Sequence, residues 1–516
     1  MLLRNLLTDV PGHRVTGDPE TGVRGLAYDS RSVEPGFLFA AVRGLQRDGN
    51  EFVEPAIRAG AAAVLSAHAA PTDPGPVAWV QVDDDRRALA LVARNYYGRP
   101  DERMIMLGVT GTNGKTTVCF LLEAVLREVD LRPGLLGTVV YRDTREELRA
   151  ERTTPESLDL YRVLDRFATG GARACVMEVS SHSLVLQRVA GINFKLGLFT
   201  NLTQDHLDFH GTMETYLEAK ALLFRGLAPD AIAVLNADDP QAEGLRSLTP
   251  ARVVTFGEAR HADVRLEDVH PRIDGTEVRL AVAAGIDPGR RTKHRLVVRS
   301  PLLGRPNARN LAAAAAAGLA LGFDDKAIVR GLESVAGVPG RFERVLPSAP
   351  IPFTVLVDYA HTDDALKNLL SAVRELRPRR VLTVFGCGGD RDRDKRPKMG
   401  FAAASGSDIV VVTSDNPRSE PPEAIIEAIL PGVRRALTGD PQGKPDAQRC
   451  LVIPDRREAI RRVLELAHDG DCVVIAGKGH ETYQILADRT IPFDDREVVR
   501  EVLRLRGGGM AGRAAR

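Results

Sequence analysis

Residues 108–117 read GVTGTNGKTT. The stretch follows the apolar run MIMLGV at 104–109 and precedes VCFLLEAVLREV at 118–129. A strand, a glycine-rich turn and a helix start therefore succeed one another, and that order builds a phosphate cradle. Gly111 and Gly114 let the backbone approach an anion, while the open N–H groups and positive dipole of the helix start face it. Lys115 sets a point charge for β- and γ-phosphates, and Thr116 offers its hydroxyl to Mg2+. The general Walker A pattern wants a glycine five residues before Gly114, where this chain has Val109; Gly108 lies six before. The register G-x-x-G-x-x-G-K-T-T is thus narrower than a generic nucleotide loop. An ordinary glycine-rich turn would explain GKT alone, but not GKT with strand and helix on the correct sides.

At 516 residues the chain is too long for one core, and three domains are expected. Apolar residues make up 44% and charged residues 27%, the balance of a globular protein. Aromatics are only 5%, so Val, Leu, Ile and Ala must build the cores, which suits α/β layers. A net charge of +1 creates no global field for nucleic acid or an anionic membrane. No run of 18 apolar residues exists, and MLLRNLLTDVPGHR carries polar residues inside its apolar stretch, which fits neither a signal peptide nor a membrane span. Five scattered cysteines (Cys119, Cys175, Cys387, Cys450, Cys472), none in a C-x-x-C pair, read as buried thiols of a reducing cytosol.

The first hundred residues carry short strand signals at 36–42 (GFLFAAV), 61–67 (AAAVLSA) and 78–82 (AWVQV). A polar break, GRPDER at 98–103, ends a first domain expected over 1–102. From 103 to 340 strands and helices alternate, with ACVMEVS (174–180), LGLFTNL (196–202) and AIAVLNADD (231–239) as strands of a parallel sheet. Short strands with turn residues at 252–300 suggest an antiparallel insertion, followed by the helix NARNLAAAAAAGLALG at 307–322. GVPGRFE (337–343) reads as a hinge into a third block, 341–505, whose strands FTVLVDYA, RRVLTVFG, DIVVVTSD and DCVVIAGKG again predict an open α/β sheet. Residues 506–516 are expected to be a disordered tail.

Polar clusters fall where these strands end, the place ligands occupy in open α/β sheets. VMEVSSHS puts Glu178 and Ser180 at a strand exit, where a carboxylate can hold Mg2+; a solvated loop carboxylate is the bland alternative. FTNLTQDHLDFHG supplies Asn201, Asp205, His206, Asp208 and His210. A structural zinc site would need a second, regularly spaced cluster, and none exists. Asp358 closes VLVDYAH, suited to ribose hydroxyls or to capping a core. GCGGDRDRDKRP (386–397) is either a solvated charge run or a binding loop, and its glycines after an apolar strand favour the loop. VVVTSDNPR (410–418) and VVIAGKGHE (473–481) are further strand-end loops, and Arg418 can clamp a carboxylate through two parallel bonds.

GTNGKTT, EVSSHS, TNLTQDHLDFHG, the Y-x-x-A-K of Tyr216–Lys220, DYAH, GCGGDRD, DNPR and GKGHE stand in the order found in Mur ligases, and the chain resembles the MurE type of that family over about residues 25 to 485. The resemblance implies a cytoplasmic, monomeric enzyme of peptidoglycan synthesis with an α/β UDP-sugar domain, a central P-loop-type ATPase domain and a mobile Rossmann-like C-terminal domain. It implies ATP-driven, Mg2+-assisted addition of meso-2,6-diaminopimelate to UDP-N-acetylmuramoyl-L-alanyl-D-glutamate through an acyl phosphate. It assigns ATP to Gly111, Thr112, Asn113, Gly114, Lys115, Thr116 and Thr117, with Asn310, Arg341 and Asp358 at the adenosine. Tyr28, Ser30, Leu45, Gln46 and Arg47 would hold the UDP-sugar, and Thr153, Thr154, Ser180 and Arg188 the muramoyl-peptide. Leu186 departs from relatives that can carry Gln there.

Lys115, Lys220 and His206 take catalytic roles by the same resemblance, with Lys220 matching a lysine that becomes N6-carboxylated. Thr116, Glu178 and His206 form the implied metal shell. Arg391, Asp415, Asn416, Pro417, Arg418, Gly477 and Glu481 match positions that read diaminopimelate. DNPR and YDSR argue against a lysine-adding or folylpolyglutamate-like ligase. A regulatory ATPase or nucleic-acid motor would need a basic stripe, which the sequence lacks.

Overall fold

The computed structural model describes residues 1–44, 47–72, 75–272, 275–287, 292–346 and 350–511. Two compact units form, one from Met1–Gly111, Val125–Thr200 and Glu214–Thr255, the other from Thr112–Ala124, Asn201–Met213 and Phe256–Arg516.

The first unit holds two sheets. The smaller runs in the order Arg14–Thr16, Ala78–Gln81, Ala63–Ser66, Phe37–Ala41, Gly25–Ala27, parallel apart from the first strand. The three strands anticipated from apolar runs are present, and Phe39, Val64 and Val80 are fully buried. The larger sheet centres on five parallel strands, in the order Ile232–Asn236, Phe194–Phe199, Ile105–Thr110, Ala174–Glu178, Pro133–Leu136. From Ile105–Thr110 the chain goes first to one side of the sheet and later to the other. The carboxyl end of that strand is therefore a topological switch point, where the crevice for a ligand opens. Its residues Met106, Leu107 and Val109 are fully buried, as a strand covered on both faces requires.

In the second unit Val264–Arg272, Gly275–Val282 and His294–Ser300 form an antiparallel meander. The expected insertion needs one correction: its first rung, Phe256 with Val264, is parallel, so the block extends the Arg252–Gly257 strand. The other sheet of this unit runs in the order Glu343–Arg344, Thr354–Asp358, Cys472–Ala476, Val381–Phe385, Ile409–Val412, Cys450–Val452. Alternation splits its side chains between two cores. Leu356, Phe385 and Val474 face the helices Asp363–Glu375, Lys395–Gly406 and Pro422–Thr438. Val355, Val384 and Ile475 face Arg456–Leu466 and Asp495–Ala511. Each fully buried Val, Leu or Ile contributes about 1.5–3 kcal/mol, which makes this double-sided sheet a rigid platform for its loops.

The Asp495–Ala511 helix runs into the segment expected as a tail, and 512–516 lie outside the described residues. Val498, Val499 and Leu503 anchor that helix, and extending a formed helix costs far less than starting one. No described helix is long and apolar enough to cross a membrane. Cys119, Cys175, Cys387 and Cys472 are buried free thiols, while Cys450 is half-buried.

Candidate active site

The phosphate loop follows Thr110 and enters the helix Lys115–Glu128. Gly111 and Gly114 have φ of +142° and +87°, conformations that glycine adopts without strain. A Cβ on Gly114 would lie 2.5 Å from Asn310 Oδ1, so the helix Gly304–Ala320 presents Asn310 directly against the loop. Asn310 is in turn held by its amide donating to Asn307 Oδ1 at 3.1 Å. The loop is strapped from the segment after Phe199. Asn113 N donates to Asn201 Oδ1 at 2.9 Å, Thr112 N to Asn201 O at 2.8 Å, and Thr203 N to Thr112 Oγ1 at 3.0 Å. Lys115 Nζ donates to Thr112 O at 2.8 Å, and Thr116 and Thr117 are buried. Asn201 was anticipated only as one polar residue of a strand-end cluster and Thr203 was not singled out; their contacts reveal the strapping role.

In the first unit, Glu178 is 1% exposed, and its two carboxylate oxygens accept from Thr138 N at 2.7 Å and Thr138 Oγ1 at 3.1 Å. Thr138 Oγ1 meets Thr153 Oγ1 at 3.0 Å, and Thr154 Oγ1 donates to Glu178 O at 2.8 Å. Ser180 caps the helix Ser181–Val185 and lies 3.4 Å from Thr154 Oγ1. Arg188 donates to Thr154 O at 3.2 Å and to Glu156 Oε1 at 2.6 Å. Burial pulls the Arg188 pKa down against the pull of Glu156, and its Nε is buried without a partner. Thr153, Thr154, Glu178, Ser180 and Arg188 are thus one connected group. Lys220 is also 1% exposed, with Nζ donating to Gly111 O at 2.9 Å and standing 4.2 Å above the Tyr216 ring.

A cavity of about 600 Å3 in the same unit is lined by Tyr28, Ser30, Arg47, Arg86, Arg152 and Leu186. Tyr28 Oη donates to Asp159 Oδ2 at 2.6 Å, and burial with that carboxylate pushes its pKa upward. Leu45 and Gln46, expected beside Arg47, lie outside the described residues.

In the second unit, four loops at the carboxyl ends of the six-stranded sheet converge on a cavity of about 310 Å3. Arg391, Asp415, Asn416, Arg418, Gly477 and Glu481 all line it, as do Asp205 and His206. Arg418 has φ of +54° and donates from Nη1 to Gly389 O at 2.8 Å; Pro417 sits just before it. Asn416 Nδ2 donates to Glu481 Oε2 at 2.8 Å. Beneath the loops, Gln484 Nε2 donates to Asp415 O at 2.7 Å, and Arg456, paired with Asp495, donates to Ala476 O at 3.0 Å. Neither Gln484 nor Arg456 stands in a recognisable motif. Asp358 accepts from Phe342 N at 2.6 Å and Ala360 N at 2.8 Å. Burial raises its pKa against the lowering influence of Arg341, whose guanidinium lies 4.6 Å from the Tyr359 ring. His206 has φ of +53° and its Nε2 lies 3.5 Å from Asp205 Oδ2. Among the described residues, no group of three or more His, Cys, Asp and Glu converges as a metal set.

Three Mur ligase family models match successive segments: "Mur ligase family, catalytic domain" over 22–97, "Mur ligase middle domain" over 109–318, and "Mur ligase, glutamate ligase domain" over 340–479. A UDP-N-acetylmuramoyl-L-alanyl-D-glutamate–2,6-diaminopimelate ligase of Solibacter usitatus is 48% identical over 487 residues, 94% of either chain. One of the same name from Syntrophomonas wolfei is 43% identical and covers 98% of both. A solved structure of a ligase with that name is 33% identical, covers 98% of this chain and 99% of its own, and superposes with a TM-score of 0.68. A Thermotoga maritima MurF ligase in complex with ADP, 22% identical over 93% of this chain and 97% of its own with a TM-score of 0.60, shares the fold. The N-terminal, middle and C-terminal segments, each on its own family model, make up the three-domain architecture, and the chain belongs to the Mur ligase family.

Proposed function

We propose that the chain is an ATP-dependent ligase that joins meso-2,6-diaminopimelate to UDP-N-acetylmuramoyl-L-alanyl-D-glutamate. It would act as a cytoplasmic monomer, with domains at 1–102, 103–340 and 341–505. The observation that carries the reading is the convergence of Arg391, Arg418, Asp415, Asn416 and Glu481 on one cavity. Two guanidinium groups suit a distal carboxylate, and two carboxylates with an amide suit the ammonium beside it.

The γ-phosphoryl group of ATP passes to the free D-glutamyl carboxylate, giving an acyl phosphate and ADP. The amine of the incoming amino acid then attacks the acyl carbon, loses a proton and expels phosphate. Gly111–Thr117 cradle the phosphates, Lys115 offsets their charge, and Asn310, Arg341 and Asp358 take the adenosine. Tyr28, Ser30 and Arg47 take the UDP-sugar, while Thr153, Thr154, Ser180 and Arg188 orient the muramoyl-peptide. No side-chain nucleophile is required, since positioning and electrostatics supply the acceleration.

Thr116 and Glu178 offer the oxygen donors that Mg2+ prefers, and these residues would hold it; the imidazole of His206 is the weaker donor in that set. When bound, the ion neutralises phosphate charge. As an amine, Lys220 donates to Gly111 O; as a carbamate it would become an acceptor and exchange that bond for a ligand of positive charge. The reading is tested by phosphate release with the UDP-muramoyl-dipeptide and ATP. Release should depend on meso-diaminopimelate, and equal turnover with L-lysine would overturn the amino-acid assignment.

A further inference from the structure

Lys478 is 0% exposed, yet it lies within the amino-acid loops. Its Nζ donates to Asn416 Oδ1 and to Glu481 Oε2, both at 3.1 Å, and stands 3.6 Å from Asp415 Oδ1. The Tyr483 ring closes the remaining side at 5.6 Å. A fully buried cation is costly unless it is paired, and here its two ion-pair partners, Asp415 and Glu481, line the cavity.

The contacts also fix the Asn416 amide. Its Oδ1 accepts from Lys478 Nζ and from Ile485 N at 3.0 Å, so its Nδ2 must turn to Glu481. Glu481 Oε2 then holds two donors, which leaves Oε1 for a ligand. Asp415 Oδ1, buried without a hydrogen-bond partner, is balanced by the same ammonium.

We infer that Lys478 is a positioning residue of the amino-acid site. It sets the orientation of Asn416 and Glu481 and halves the charge of the Asp415–Glu481 pair. This inference rests on the diaminopimelate reading above. Without the ammonium Asp415 and Glu481 would lose the cation buried against them, which leaves the cavity more acidic and readier to accept a distal ammonium lacking its carboxylate. Selectivity against L-lysine should therefore fall together with affinity for diaminopimelate.

The experiment is steady-state phosphate release by the full chain and its Lys478→Met, Glu481→Gln and doubly substituted forms. Lys478→Met should raise the KM for meso-diaminopimelate about tenfold or more, the size expected for lost bonds to a charged group. The KM for ATP and for the UDP-substrate should stay unchanged, and the preference over L-lysine should narrow. In the Glu481→Gln background the same substitution should cost less, because one of the two charges it balances is already gone. An unchanged diaminopimelate KM, strictly additive effects, or an equal rise in all three KM values would overturn the inference. If Lys478→Met does not fold while the double variant does, the charge coupling stands; if neither folds, Lys478 is only structural and the inference falls. A wild-type chain with no diaminopimelate-dependent release would instead refute the reaction itself.

Discussion

Arg418 shows how one side chain is held in place. Its backbone is left-handed at φ +54°, its N–H donates to Ile485 O at 3.1 Å, and one guanidinium nitrogen is spent on Gly389 O. The planar fork is therefore held before any ligand arrives, which a lysine cannot reproduce. Arg418→Lys should raise the KM for diaminopimelate about tenfold or more while leaving that for ATP unchanged, as steady-state kinetics will show. His480 carries a different signal. Burial, reinforced by Arg341 and Arg496, lowers its pKa from 6.5 to about 3. An unfolded chain takes up that proton near pH 6.5 and the folded one only near 3, so stability falls as pH drops through this window and is unaffected above it. Denaturant unfolding at a series of pH values should show that slope, and His480→Gln should flatten it. Lys478 was legible in GKGHE only as one letter of a motif. Its burial against two carboxylates depends on loops more than sixty residues apart in sequence.

The strands around the phosphate loop could be read directly, because buried parallel strands are continuous apolar runs bounded by glycine and polar residues. Ala174–Glu178 and Ile232–Asn236 fall inside the runs that announce them, while Ile105–Thr110 runs one residue past its run and Phe194–Phe199 starts two residues before its own. The three-residue strands Arg14–Thr16, Gly25–Ala27 and Cys450–Val452 were not legible, since three residues establish no alternation. Their existence is decided by the neighbour they pair with. Helix packing was equally hidden. The helices Lys395–Gly406 and Pro422–Thr438 approach so closely that a Cβ on Gly432 would sit 1.7 Å from Pro397 O. Gly432→Ala should therefore destabilise the chain by about 1–3 kcal/mol, the usual cost of overpacking, read as a lowered Tm. An unchanged Tm would show that the two helices can part to admit a methyl group.

For the whole molecule, 70 basic and 69 acidic side chains nearly cancel, so substrate capture must come from local charge. ATP turnover should accordingly be indifferent to added polynucleotide; stimulation by it would revive a nucleic-acid role. The α/β class, the phosphate loop and the ordered motifs at strand ends could be read from the order of residues, because backbone propensity, glycine placement and side-chain period are local properties. That order also singled out Arg418 and Glu481, which line one cavity of the second unit. The tertiary structure alone decided that four loops from one sheet share a cavity, that Asn201 and Asn310 brace the phosphate loop, and that Lys478 lies beneath the acids. These are contacts between distant segments, and their energies depend on burial and distance, which exist only once the chain has folded.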